Sequence, residues 1–126
     1  MKNLKFILLV GICALGFNVS AQYITVSIIE NTSYSGLYDV KLFVLDVVTQ
    51  NYCQVAQEQD VTLSYTFIPN EINLSCVYLV NDQKDRYRYI AVVTRQEAIG
   101  SGQNWTQLLD TGEMWNVITI PPVQMN

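Results

Sequence analysis

Apolar and polar residues alternate along most of the chain after residue 22, a period of two that is typical of β-strands with one buried face. In YITVSIIEN, for example, Ile24, Val26 and Ile28 fall on one side. Similar alternation recurs at 38–48, 61–67, 72–80, 86–95 and 114–120. No window longer than one turn has the spacing of a helix. The sequence therefore predicts an all-β chain.

The predicted strands are short and separated by turn-forming residues. Two weaker strands are predicted near 52–57 and 105–109, and Pro69-Asn70-Glu71 is interpreted as the turn of a β-hairpin. The last strand is expected to end at Pro121-Pro122, which lack amide donors. About seven short strands in about 100 residues favour an antiparallel two-sheet β-sandwich of immunoglobulin-like type. A small β-barrel is the alternative.

The first 21 residues have the three parts of a secretory signal peptide. Two lysines precede an uncharged apolar run at 6–17, and small residues precede Gln22. The run is shorter than the roughly 20 apolar residues that a membrane-spanning helix needs. We expect residues 1–21 to be cleaved, leaving a single domain at 22–126 that is periplasmic or secreted and has no integral membrane segment.

Cys53 and Cys76 are predicted to form a disulfide. They are the two cysteines that remain after cleavage, and an even pair in an oxidising compartment is most simply joined. A zinc site needs more ligands than two cysteines, and the chain has no histidine. Alternation places Cys76 on the same face as Ile72 and Leu74, so it is expected to point into the core.

The charge balance argues against a nucleic-acid partner. Loss of Lys2 and Lys5 with the signal peptide leaves five basic and eleven acidic residues, a net charge of −6. A small domain of that charge repels phosphate backbones.

The sequence lacks several residue types and motifs that enzymes use for catalysis. The absence of histidine excludes Ser-His-Asp and Cys-His catalysis and removes the commonest metal ligand, and there is no glycine-rich phosphate loop. We expect no catalytic residues, no metal and no cofactor. A small secreted enzyme or inhibitor is kept as a third hypothesis, because acidic residues are plentiful enough for a carboxylate pair.

The residues LLDTG at 108–112 resemble the start of the active-site strand of retroviral-type aspartic proteases. In those enzymes the catalytic aspartate lies in the first third of the chain, and the flap follows it. Here only sixteen residues follow Asp110, and Glu113 would place a third carboxylate beside a pair that shares one proton. The segment is therefore interpreted as a turn, not as half of a protease site.

Two tryptophans suggest a sugar-binding surface. Trp105 and Trp115 could stack on sugar rings, and Gln103 and Asn104 could bind sugar hydroxyls. The sequence thus allows a carbohydrate-binding module as the second hypothesis.

The leading hypothesis is a non-catalytic, exported interaction module that binds another protein or self-associates. Both faces of the strand around 42–48 are apolar, and the strand at 86–95 interleaves tyrosine with arginine, two residue types enriched in interfaces. The candidate interface residues on these strands are Phe43, Leu45, Arg86, Tyr87, Arg88 and Tyr89.

Overall fold

The computed structural model describes residues 22–76, 86–107 and 116–126. These ranges contain nine strands and one short 3-10 helix at Pro69–Glu71. The strands are β1 (Gln22–Val26), β2 (Ile28–Glu30), β3 (Tyr38–Asp46), β4 (Asn51–Val61), β5 (Tyr65–Phe67), β6 (Tyr87–Arg95), β7 (Ser101–Gln107), β8 (Asn116–Thr119) and β9 (Val123–Met125). Within the same ranges, no helix is long and apolar enough to cross a membrane.

Two main sheets pack against each other. One has three strands in the order β5-β1-β8, and the other has four strands in the order β4-β3-β6-β7. The four-stranded sheet is antiparallel throughout, and β2 and β9 form a further short pair. This arrangement confirms the predicted all-β, two-sheet sandwich. The strands of the described ranges stay in separate sheets and do not close into the alternative barrel.

Two strand pairs, β1 with β8 and β2 with β9, are parallel rather than antiparallel. Parallel neighbours need a long connection between them, and here most of the domain provides it. Strand β8 ends at Thr119, just before Pro121-Pro122 as predicted, and a further short strand, β9, follows the prolines and pairs with β2 in a separate ladder. Hydrogen bonds from Ile120 N to Thr25 O at 3.0 Å and from Val123 N to Ser27 O at 2.9 Å hold the chain on both sides of the prolines.

The core lies between the two sheets and is built from the apolar side of each alternating strand. Ile24, Phe67 and Ile118 come from the three-stranded sheet, and Leu42 and Tyr89 from the four-stranded one. All five are buried. Burying each such side chain contributes about 1.5–3 kcal/mol, so the alternation of the sequence is also the main source of stability.

Strand β4 is the longest described strand, although the sequence indicated it only weakly. Two register shifts against β3 break its alternation, one of them between Leu42 and Phe43. As a result the adjacent residues Val55 and Ala56 are both buried. A β-bulge of this kind masks a strand from a period-two pattern.

The predicted β-hairpin around Pro69 is wrong in the described part. Strand β5 pairs with β1, and residues 72–76 form no strand. Ile72 and Leu74 nevertheless pack against the core, which explains why their spacing looked strand-like. A hydrogen bond from Asn73 N to Val55 O, at 2.8 Å, ties this segment to β4. The remainder of the predicted second arm, at 77–80, lies outside the described residues.

Cys53 and Cys76 form the predicted disulfide, with their Cα atoms 6.3 Å apart. The bond joins β4 to the segment that follows the 3-10 helix. Cys76 is exposed, however, and Cys53 is half-buried. The expectation that Cys76 points into the core is therefore corrected, because the bond lies at the surface and holds the 72–76 segment against β4.

Candidate functional site

The four-stranded sheet turns one side to the core and the other, which we call the outer face, away from it. Register fixes which side chains share this face: Phe43 lies opposite Ile90, and Ile90 lies opposite Trp105. Because side chains two residues apart on a strand share a side, the outer face includes Asp39, Lys41, Phe43, Leu45, Tyr52, Gln54, Gln57, Arg88, Ile90, Val92, Thr94, Ser101, Gln103 and Trp105.

The middle of the outer face is apolar. Leu45 and Ile90 are buried there without belonging to the cluster between the sheets. The ring of Phe43 meets the ring of Tyr52 edge-on, with centroids 6.4 Å apart, and Tyr52 is 64% exposed. Among the described residues, then, an aliphatic floor is bordered by aromatic rings that water still reaches.

Arg88 and Trp105 form the second aromatic element of this face. The guanidinium carbon of Arg88 lies 4.2 Å from the centroid of the Trp105 ring, and Trp105 is 45% exposed. A guanidinium held over an indole is attracted by the ring and keeps its in-plane N–H donors available. The pair therefore presents an apolar ring and an oriented cation side by side.

The described cations divide into two groups. Arg86 pairs with Asp46 at 2.8 Å, and Arg95 pairs with Glu30 at 2.7 Å. Lys41 and Arg88, both on the outer face, make no ion pair with any residue in the described ranges. In a chain with a net charge of −4, the described part of the outer face thus holds two cations without an ion pair and one carboxylate, Asp39.

The six candidate interface residues do not form one surface. Tyr87 and Tyr89 are 3% and 0% exposed and point into the core, so the structure corrects their assignment to an interface. Burial raises the pKa of Tyr89 above its usual value. Neighbouring side chains of a strand point to opposite sides of the sheet. Tyrosines that alternate with arginines therefore lie on the side opposite to the arginines. Phe43, Leu45 and Arg88 remain together on the outer face, and Arg86 is held by Asp46.

The candidate sugar-binding residues are also separated. Gln103 shares the outer face with Trp105, but Asn104 points to the other side. Its amide nitrogen donates to Pro122 O at 3.0 Å, and its Oδ1 accepts from the Trp105 backbone N–H at 2.8 Å. Asn104 is therefore a structural residue and is not available for sugar hydroxyls at Trp105. Trp115 and the Asp110 segment lie outside the described residues.

Tyr52, Ile90 and Lys41 are outer-face residues that the sequence analysis did not single out. Lys41 and Ile90 could have been found, since they lie two residues from Phe43 and Arg88 on their own strands. Tyr52 could not, because its position depends on how β4 is shifted against β3.

A second polar cluster joins β2, β3 and β6 around Glu30. Its carboxylate accepts two hydrogen bonds from Arg95, one from the Tyr38 hydroxyl at 2.8 Å and one from the Thr32 hydroxyl at 2.7 Å. The Arg95 contacts are the main reason that the pKa of Glu30 falls to about 2. Burial, together with Glu30, raises the pKa of Tyr38 to about 12. Groups so fully engaged stabilise the fold.

Two surface hollows offer little for catalysis. One, of about 260 Å³, lies beside the disulfide and contains Asp46, which already binds Arg86. The other, of about 390 Å³, contains Arg95, which already binds Glu30. Across the described ranges, no three His, Cys, Asp or Glu side chains are grouped so that they could hold a metal ion.

Comparison of the chain with protein-family models, with curated proteins and with solved structures gives no match.

Proposed function

We propose that this protein is a non-catalytic, exported binding module that contacts another protein through the outer face of its four-stranded sheet. The observation that carries the proposal is the exposed aromatic border, Tyr52 at one side and Trp105 at the other, around a floor of Leu45 and Ile90. Exposed aromatic residues beside an oriented arginine are typical of the energetic centres of protein interfaces.

Export is proposed from the signal-peptide pattern of the first 21 residues. A disulfide between Cys53 and Cys76 is in keeping with an oxidising compartment. The non-catalytic role is proposed because the charged groups of both surface hollows are already engaged by ion pairs. The outer face, by contrast, presents ring surface and cationic donors that the described fold does not use.

The test compares three forms of the purified, oxidised protein: the wild type, the face variant Tyr52→Ser/Trp105→Ser, and the control variant Ile68→Ser/Val117→Ser. The control pair is also exposed and apolar but lies away from the outer face. Light scattering measures self-association, and capture from the culture fluid of the source cells measures binding to other proteins. We expect the wild type and the control to capture a partner protein and the face variant to lose that capture while it still unfolds cooperatively on heating.

Association that persists in the face variant would contradict this assignment of the binding surface. A wild type that remains monomeric and captures nothing would contradict the binding function itself. Repeating the measurement after reduction shows whether the disulfide supports the face, since Tyr52 is adjacent to Cys53.

A carbohydrate-binding module is the second candidate, favoured by the half-exposed ring of Trp105 with Gln103 on the same face. Titration of tryptophan fluorescence with a panel of neutral and acidic glycans tests it. A saturable change that disappears in Trp105→Ser would favour sugar, whereas an unchanged signal across the panel would remove this candidate.

A further inference from the structure

Lys41 and Arg88, which make no ion pair with a described residue, flank the apolar middle of the outer face along the strand direction. Lys41 precedes Phe43 by two residues on β3, and Arg88 precedes Ile90 by two residues on β6. Because β3 and β6 are antiparallel and Phe43 lies opposite Ile90, the two cations fall on opposite sides of that apolar pair. With a rise of about 3.4 Å per residue, they are separated by about 14 Å along the sheet.

We propose that the outer face binds an extended acidic polypeptide segment with carboxylates at positions i and i+4 and an apolar side chain at i+2. In an extended chain these three side chains share one side and cover about 14 Å. The apolar side chain contacts Phe43 above the largely buried Ile90, and the carboxylates reach Lys41 and Arg88. This inference rests on the proposed binding function of the same face and adds the chemical class of the partner.

Charge favours an acidic partner over a neutral one. Arg88 is positioned by the Trp105 ring, so its planar donors need little ordering to bind a carboxylate. The one carboxylate close to Lys41 on its own strand, Asp39, already accepts hydrogen bonds from Gln96 Nε2 at 2.7 Å and from the Asp60 backbone N–H at 3.3 Å. These neutral donors leave Asp39 with its negative charge, so a carboxylate of the partner is attracted mainly at Arg88 and less strongly at Lys41.

The composition of the face favours polypeptide over sugar. Leu45 and Ile90 form an aliphatic floor, against which sugar hydroxyls would lose hydrogen bonds to water without replacement. The amide of Asn104, which could have bound hydroxyls beside Trp105, is used by Pro122 and by the Trp105 backbone.

Size and sequence disfavour a second copy as the occupant. Four strands about 4.8 Å apart and four rows of side chains give a face of about 500 Å², whereas a stable interface buries about 800 Å² per partner. The chain itself contains no two acidic residues four positions apart. It therefore lacks the segment that its own outer face would bind.

The test uses the exported protein with its disulfide formed and fluorescent eleven-residue peptides. The probe is Gly-Ser-Thr-Glu-Thr-Phe-Thr-Glu-Thr-Ser-Gly, in which the two glutamates lie four residues apart around phenylalanine. One control peptide replaces both glutamates by glutamine. The other moves each glutamate one position inward, which turns the charges to the side opposite the phenylalanine. Fluorescence anisotropy measures binding of each peptide to the wild type and to single-site variants.

We expect the wild type to bind the probe about threefold to tenfold more tightly than either control peptide, as for partly exposed charge pairs. Lys41→Gln and Arg88→Gln should each reduce this preference, while Glu97→Gln, an exposed change away from the face, should retain it. Added salt should weaken the wild-type preference more than the residual binding of the variants. Thermal unfolding verifies that every variant is folded.

Several results would overturn the inference. Equal binding of the three peptides, or no binding of the probe, would show that an acidic segment is not the partner. If the three peptides bind with equal affinity and Trp105→Ser weakens the binding of all three, the proposed binding face would stand. Its preference for an acidic segment would then be rejected. Arg88-dependent binding of alginate without binding of the probe would identify an acidic polysaccharide instead. A dimer that dissociates in Trp105→Ser would identify a second copy.

Discussion

Glu30 and Arg95 lie 65 residues apart in the sequence and form an ion pair with two hydrogen bonds, Nε to Oε1 at 3.0 Å and Nη2 to Oε2 at 2.7 Å. The pair links β2, which belongs to a short two-stranded sheet with β9, to β6 in the four-stranded sheet. Arg95 is 5% exposed, so removing its partner would leave a charge with little access to water. This contact therefore fixes how separate sheets of the domain meet.

Acid should destabilise the protein through Glu30 and Asp46. Their arginine partners lower the pKa of each carboxyl to about 2 in the folded state, from 4.5 and 3.8. Each group contributes stability that is complete above its unfolded pKa and is lost as the pH falls from about 5 to about 2. Urea unfolding midpoints measured between pH 7 and pH 2 should decrease across that window.

The acid response can be assigned with Glu30→Gln. This variant should have a lower midpoint at pH 7 and a weaker dependence on pH, whereas Glu97→Gln, an exposed control, should behave as the wild type. An unchanged pH dependence in Glu30→Gln would show that Glu30 does not carry the effect.

Tyr89→Ala and Tyr52→Ala should have very different costs. Tyr89 is completely buried in the core, so its removal leaves a cavity and should lower the free energy of unfolding by about 3–5 kcal/mol. Tyr52 is exposed and loses only its ring contact with Phe43, which is worth about 1 kcal/mol. Chemical denaturation of the two variants checks the order. Equal costs would contradict the placement of these rings.

Removing the disulfide should destabilise the domain by about 3 kcal/mol, since Cys53 and Cys76 are 23 residues apart and the bond restricts that loop in the unfolded chain. The variant Cys53→Ser/Cys76→Ser measures this loss by denaturation. A reductant should lower the stability of the wild type to that of the variant and leave the variant unchanged. A wild type unaffected by reductant would contradict a stabilising role.

Gly100→Ala should destabilise the domain by about 1 kcal/mol or more. Gly100 has φ +135°, which side-chain-bearing residues rarely adopt, and an added Cβ would collide with Nη1 of Arg95. The same nitrogen donates to Ile99 O at 2.9 Å, so the collision would also disturb the Arg95 network. Ser101→Ala is the adjacent control and should be nearly neutral. Melting temperatures of the two variants provide the comparison.

The fold class could be predicted because alternate burial leaves a direct mark on the sequence. Strands β1, β3 and β6 have the expected buried faces. The alternation of apolar and polar residues gave wrong or weak predictions where the burial of side chains does not follow the pairing of the backbone. Bulges hide the alternation of β4, and residues 72–76 alternate without forming a ladder. The parallel pairing of β1 with β8 could not be predicted, because it depends on contacts between distant parts of the chain.

The candidate site was predictable only in part. Phe43, Leu45, Arg88 and Trp105 were identified from residue type, but their assembly on one face follows from register between strands. Residue type alone also selected Tyr87, Tyr89 and Asn104, whose side chains point the other way. Tyrosine and asparagine serve equally well in cores, turns and interfaces, so orientation rather than identity decides their role.

The position of β1 as the middle strand of its sheet has a consequence for how the chain folds. One of its neighbours, β5, is made midway along the chain, but the other, β8, pairs Asn116–Thr119 with Gln22–Thr25. Pairing over so long a separation slows folding to the range of milliseconds to seconds. Until residue 116 has been synthesised, one side of β1 presents unpaired amide and carbonyl groups, a surface that invites pairing with other chains. Pairing of β8 with β1 covers these groups and therefore ends the period in which misassembly is most favoured.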